Sequence, residues 1–316
     1  MKRIYISSCD KNGGIYRYGL DGGKLTFADK TPLDRPMYTV CENKKMYVIL
    51  KETDISTGFG GLMSFDIAKD GGLVNPSKIT STNGICPCHL AVKNGVCYTV
   101  NYLSGNIVSS NGKIHSHSGK GINLPRQDAP HTHYVNLSPD GKYLLSCDLG
   151  LDGIYTYDFD LNVISVANVP KGHGARHLDY SDDGKYVYCV NELASTVSTF
   201  EYDDGKLILK NTYPCMFRDG IKNTAAAIRF VNGRLYVSNR GDDTVTCFAV
   251  SEDRLETVFT QSVEGSFPRD MLIVDGHIIF TNEHTNNVTV FRLSENGMEK
   301  TDTAEKITDP LCVTEI

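Results

Sequence analysis

A short pattern recurs along this chain every 42 to 51 residues, and that period constrains the fold more than any other feature. Its fullest copy runs from Pro130 to Gly150. There Val135 and Leu137 alternate with polar neighbours, Pro139-Asp140-Gly141 has turn chemistry, and Tyr143-Leu144-Leu145 opens a second apolar run. Such a segment predicts two antiparallel strands joined by a tight turn. Copies follow at Arg176–Asn191, Gly233–Asn239 and Pro268–Asn282, and others precede it at Pro87–Asn101 and, more weakly, from Pro36. After the hairpin comes a Gly/Asp/Asn loop and a third alternating run, as in Gly153–Asp160, Ser195–Tyr202, Asp243–Val250 and Asn287–Leu293. A turn then leads to a fourth, as in Lys206–Lys210 and Arg254–Val258.

Repeats of four strands starting near residues 36, 87, 130, 174, 225, 267 and 310 have the period of a propeller blade. Pro310–Ile316 resembles only a first strand, while residues 1–30 supply only second, third and fourth strands. The expectation is an all-β, seven-bladed β-propeller of four-stranded antiparallel blades, one domain over residues 1–316. The N- and C-terminal strands share one blade, which leaves no open edge where the ring closes. The chain has no Trp, so the Trp-Asp signature of the commonest blade repeat is missing.

Composition excludes several function classes. The net charge of −6 with no long basic run argues against a nucleic-acid partner. No stretch approaches a membrane span, and Met1–Asp10 lacks the apolar region of a signal peptide, so a cytoplasmic protein without membrane attachment is expected. Cys97, Cys147, Cys189 and Cys247 sit at alternating strand positions, which reads as reduced, buried thiols. Cys86-Pro-Cys88 is too tight for a zinc pair and has no second cysteine pair nearby, so no metal site is assigned. Monomer and dimer stay equally open.

In a propeller the first strands line the central channel, and the loops before them share a face with the loops between second and third strands. Two sets of residues should therefore converge. The starts of first strands give Cys88, His89, His131, His133, Arg176, His177, Arg269 and Asp270. The ends of second strands give Asn101, Tyr102, Asp148, Asn191, Glu192, Asn239, Arg240, Asn282 and Glu283. Longer inserts at Thr53–Leu62 and Ile114–Ala129, the second carrying Arg126, commonly build the binding face of a repeat ring. For an acidic protein this set is rich in Arg and His, which predicts a cationic basin suited to an anionic small molecule. His131 and His133 lie two apart and would share one side of a strand. Each Arg or Asn could instead tie neighbouring blades together, and Glu192 could be a base or an ion-pair brace for Arg176 or Arg240.

The ordered set His117-Ser-Gly-Lys-Gly121, Arg126-Gln127, Pro130-His-Thr-His133, Ser138-Pro-Asp-Gly-Lys-Tyr143, Asp148-Leu-Gly150, Arg176-His177, Asn191-Glu192, Ser238-Asn-Arg240 and Phe267-Pro-Arg269 resembles the lactonase family of seven-bladed propellers. That family includes propeller-type 6-phosphogluconolactonases and carboxy-cis,cis-muconate cyclases. The resemblance implies lactone chemistry with no metal and no organic cofactor. It maps the family's His, Arg, Glu and second Arg onto His133 (or His131), Arg176, Glu192 and Arg240 as catalytic residues. His131, Arg269, Arg126, Asn239, Asn282 and His177 are then the candidates for binding an anionic lactone. The expected reaction is opening of 6-phospho-D-glucono-1,5-lactone in the pentose phosphate pathway. The alternatives are another lactone, a muconate cyclisation, or a propeller that binds small molecules or proteins without catalysis. One departure stands out: the first strand before Phe230 reads Ala225-Ala-Ala-Ile-Arg229.

Overall fold

The computed structural model describes all residues, 1–316, and contains strands and turns but no α-helix. Seven antiparallel sheets form in chain order, six of them four-stranded. We number the blades from the first complete repeat. Their first strands are Pro36–Glu42, Pro87–Lys93, Thr132–Leu137, Ala175–Tyr180, Thr224–Val231, Pro268–Val274 and Pro310–Glu315. Blade 1 carries two short segments, Leu73–Val74 and Thr80–Ile85, against its third strand. Blade 7 takes its first strand from the C-terminus and the other three from Lys2–Ser8, Gly14–Asp21 and Lys24–Pro32. Ile4 pairs with Glu315 and Ser7 with Cys312, so the ring is closed by backbone hydrogen bonds between the two ends.

The apolar side chains form seven clusters, each shared between adjacent blades. Ile4, Ile6 and Val313 of blade 7 pack on Ile279, Val288 and Val290 of blade 6, for example. Leu145, Cys147 and Ile154 of blade 3 pack on Leu178, Val187 and Cys189 of blade 4. Strand alternation supplies this directly, because residues two apart face the same neighbouring blade. Eight of the ten cysteines are buried, which fits their role as small core residues. Outer strands run longer than the apolar pattern predicts, Lys206–Pro214 and Arg254–Ser262, because a bulge lets each bend along its neighbour.

A second regularity positions the site. Every first strand is bulged against its second strand within its opening residues. The bulged residues are Met37, Cys88, His133, Arg176, Arg269 and Leu311 in six blades, and the pair Ala226 and Ala227 in blade 5. A bulge frees one residue from the ladder and re-aims its side chain. Seven bulges at one height therefore turn a ring of side chains into the channel mouth.

Candidate active site

The cavity at that mouth has a volume of about 240 Å³ and is lined by Met37, Cys86, Cys88, Tyr102, Arg126, His133, Glu192, Arg240 and Arg269. Four of these are bulge residues. Tyr102, Glu192 and Arg240 share another repeat position: each directly follows the Asn at the end of a second strand, Arg240 being itself the last residue of its strand. The insert contributes Arg126.

Glu192 is the hub. Its Oε1 accepts from Arg126 Nη2 at 2.6 Å, and its Oε2 accepts from Arg176 Nε at 3.0 Å and faces Arg240 Nη2 at 2.8 Å. Antiparallel pairing of the first two strands of blade 4 brings Arg176 and Glu192 together, as their spacing predicts. Burial alone would raise the Glu192 carboxyl, but Arg240, Arg176 and Arg126 outweigh it and hold it well below the usual range. Burial, followed by Arg240, pulls Arg176 down to about 9, so it stays charged at neutral pH. Burial also pushes His133 well below 6.5, with Arg176 adding to the shift, so its imidazole is neutral. Arg269 donates to Glu283 at 3.1 Å across blade 6. Four guanidinium groups thus face two carboxylates, an excess of two positive charges.

The Ala225-Ala-Ala run has a steric reason. Arg176 Nη1 donates to the carbonyl of Ala226 at 2.7 Å, and Arg240 Nη2 to that of Ala225 at 3.3 Å. Small side chains at this bulge, where Ala226 and Ala227 stand opposite Ser238, leave room for both guanidinium groups. Arg229 lies further along that strand and pairs with Asp270 at 2.6 Å.

Phe267, just before the first strand of blade 6, has φ of 64°, a conformation that strains an aromatic residue. Its ring stacks on His284 at 4.0 Å and lies 5.0 Å from the Arg240 guanidinium. Cys86 occupies the equivalent position in blade 2 with φ of 58°.

The remaining predicted residues separate into three groups. His177 is buried one residue below Arg176, away from this cavity but in the channel beneath it. His131 does not share a side with His133, because it precedes the strand and the bulge reorients its neighbour. Instead its Nδ1–H donates to the Tyr102 carbonyl at 3.0 Å and its ring stacks on Tyr102 at 4.4 Å, so it fixes a wall of the cavity. Asn239 and Asn282 are fully buried and not brought to the cavity. Asn239 donates to the Cys215 carbonyl at 2.9 Å, and Asn282 to Asn287 and Thr289, both at 3.1 Å. Asn282 thereby clasps the second and third strands of its blade, and Asn239 ties blade 5 to the chain that leaves the outer strand of blade 4.

The sequence places Tyr102 at the mouth, at the repeat position of Glu192 and Arg240, but assigns it no chemistry, and it carries no signal for Met37 or for Cys86 as cavity walls. His117 buttresses the insert: its Nδ1 meets Asp148 at 2.6 Å, and Asp148 also accepts from the backbone of His131, Gly150 and Leu151.

Comparison with known proteins agrees with this architecture. The family described as "Lactonase, 7-bladed beta-propeller" matches residues 3–315. A 6-phosphogluconolactonase of Bacillus subtilis is 30% identical over 340 residues, covering 98% of this chain and 97% of that protein. Among solved structures, a protein from Lactobacillus plantarum superposes with a TM-score of 0.90 at 28% identity, covering 100% of both chains. The periplasmic gluconolactonase of Pseudomonas aeruginosa superposes with a TM-score of 0.87 at 22% identity over 100% of this chain and 99% of that one, a likeness of fold alone. A mouth built from a His, a Glu and converging arginines, on a ring matched by one family from end to end, supports a lactonase, and the chain belongs to the lactonase family of seven-bladed β-propellers.

Proposed function

We propose that the protein hydrolyses an anionic lactone in the cytoplasm, with 6-phospho-D-glucono-1,5-lactone, opened to 6-phosphogluconate in the pentose phosphate pathway, as its substrate. The observation that carries this reading is the surplus of guanidinium groups around the cavity, arranged so that one carboxylate, Glu192, already engages three of them. A phosphate matches that surplus better than a neutral sugar lactone does. The name of the Bacillus subtilis relative points the same way.

Lactone opening needs a water that loses a proton as it attacks and a positive group facing the carbonyl oxygen as charge develops there. Both carboxylate oxygens of Glu192 are already engaged by arginines, so it cannot take a proton from water without breaking those pairs, whereas the Nδ1 of His133 has no partner in the chain. Neutral His133 lines the cavity and takes the proton. Arg240, held in place by Glu192, faces the developing oxyanion, and Arg176, buried beneath the cavity wall, holds Glu192 from behind. Arg269 and Arg126 hold the phosphate.

The test is a panel of phosphorylated, carboxylated and neutral lactones, assayed for ring opening at neutral pH with and without a chelator. Loss of one charge-assisted contact costs about 1.5–3 kcal/mol, so the neutral sugar lactone should react roughly tenfold to a hundredfold less efficiently than its phosphate. The chelator should change nothing. Failure to open any lactone would overturn the proposal, and a preference for the neutral lactone would change its substrate.

A further inference from the structure

Beneath the substrate cavity lies a second, much smaller space of about 10 Å³, lined by Met37, Tyr38, Cys88, His133, Arg176, His177, Arg269, Asp270 and Leu311. Six of these are the bulge residues, and the other three each follow one directly. The two spaces share Met37, Cys88, His133 and Arg269 as walls. Below, the channel is plugged by packed rings: His89 lies 4.1 Å from Tyr38, 4.5 Å from Tyr134 and 5.2 Å from His177. The small space is thus trapped between a floor of aromatic rings and the reacting cavity.

Its volume suits about one water molecule, and its walls supply the polar partners that a buried water needs. His133 and His177 are more than nine-tenths buried, with ring centroids 5.2 Å apart, and the Nδ1 of each has no hydrogen-bond partner in the chain. Unpartnered polar atoms are rare in a buried site and call for a bound molecule. Asp270 and Arg176 add one acceptor and further donors to the same walls.

We propose that this space holds a single ordered water between His133 and His177, and that this water is the nucleophile that attacks the lactone carbonyl from the channel side. The proposal rests on the lactonase reading above. The water oxygen forms the new bond to the carbonyl carbon, and one of its protons passes to His133. The ring C–O bond then breaks with its electron pair on the ring oxygen, which takes that proton back to become the hydroxyl of the product. His177 does not reach the substrate. It is a positioning residue, orienting the water toward His133 and the cavity.

Two measurements test this. Diffraction from crystals of the whole protein, at a resolution that orders other buried waters, should show one water in contact with His133 and His177. An empty space would overturn the site. In steady-state kinetics His177→Leu should lower kcat by about tenfold to a hundredfold, the loss expected for one positioning hydrogen bond, with KM unchanged. His177→Asn, which restores a polar group, should recover most of that loss. A leucine variant with normal kcat, or an asparagine variant as slow as the leucine one, would overturn the role of His177. Should His177→Leu fail to fold, His177→Phe, which keeps a ring in the channel floor and removes the polar atoms, takes its place as the slow variant against which His177→Asn is compared. A wild-type protein inactive on every lactone sinks the functional reading itself, whereas an active wild type with an indifferent His177→Leu sinks only this proposal.

Discussion

At the scale of single residues, Glu192 decides between two accounts of the site. A free carboxylate would be a base, but one flanked by Arg126, Arg176 and Arg240 is first of all their common counter-ion. Glu192→Gln keeps the shape and removes the charge, leaving two deeply buried guanidinium groups, Arg176 and Arg240, without compensation. Removing one partner of a buried ion pair typically costs about 3–5 kcal/mol. The expectation is a clear loss of stability in denaturant melts together with turnover lower by about two orders of magnitude, since the oxyanion donor loses its anchor. A variant as stable as wild type that has lost turnover would instead make Glu192 the base. The pairing of Arg176 with Glu192 was legible in the sequence, because both flank one hairpin. Arg240 was legible as an alternative partner, because it ends the second strand of the next blade, whereas the involvement of Arg126 was legible only as shared location, since a side chain from an insert obeys no local spacing rule.

At the scale of elements, the blade pattern gives strand order and the shared terminal blade directly from alternation and turn chemistry. What alternation hides is the bulge. A bulge is a property of register between two strands, so the apolar pattern of one strand carries no mark of it. For that reason His131 and His133 looked equivalent, while the structure gives one a wall and the other the cavity. The Asn at the end of second strands was open to two readings for a related reason. Asn101, Asn191 and Asn282 each donate to the residue five positions later, at 2.8, 2.9 and 3.1 Å, and Asn239 reaches Thr244 at 3.4 Å. One contact repeated in four blades is a property of the blade. Asn282→Ala should therefore cost about 1–3 kcal/mol of stability, the penalty for unsatisfied buried partners, with KM for the lactone unchanged. Unchanged melting with a raised KM would return Asn282 to the substrate.

At the scale of the whole molecule, the channel stores a dependence on pH that no single blade contains. First strands from blades 2, 3 and 4 bring His89, His133 and His177 together at the axis. Burial depresses all three, with Arg229 and Arg176 adding to it for His89, Arg176 for His133, and Arg176 and His89 for His177. His89 falls to about 3. An unfolded histidine binds its proton near pH 6.5, so below that pH the unfolded chain takes up protons that the folded channel refuses. Stability is therefore complete above about pH 6.5 and is lost as pH falls toward the folded values, by about 1.4 kcal/mol per pH unit for each histidine. Glu192 acts in the same direction at lower pH, being depressed below its unfolded value near 4.5. Acid destabilisation should thus begin in the histidine range, before most carboxylates titrate. Denaturant melts between pH 7.5 and about pH 5 should show this loss, and His89→Phe, which keeps a ring between Tyr38 and Tyr134, should flatten the slope by about 1.4 kcal/mol per pH unit. Stability that stays level across that interval would mean that the channel histidines accept protons in the folded state. In that case His133 would be protonated in mild acid and unable to take the proton from water, so turnover would fall there without any loss of fold.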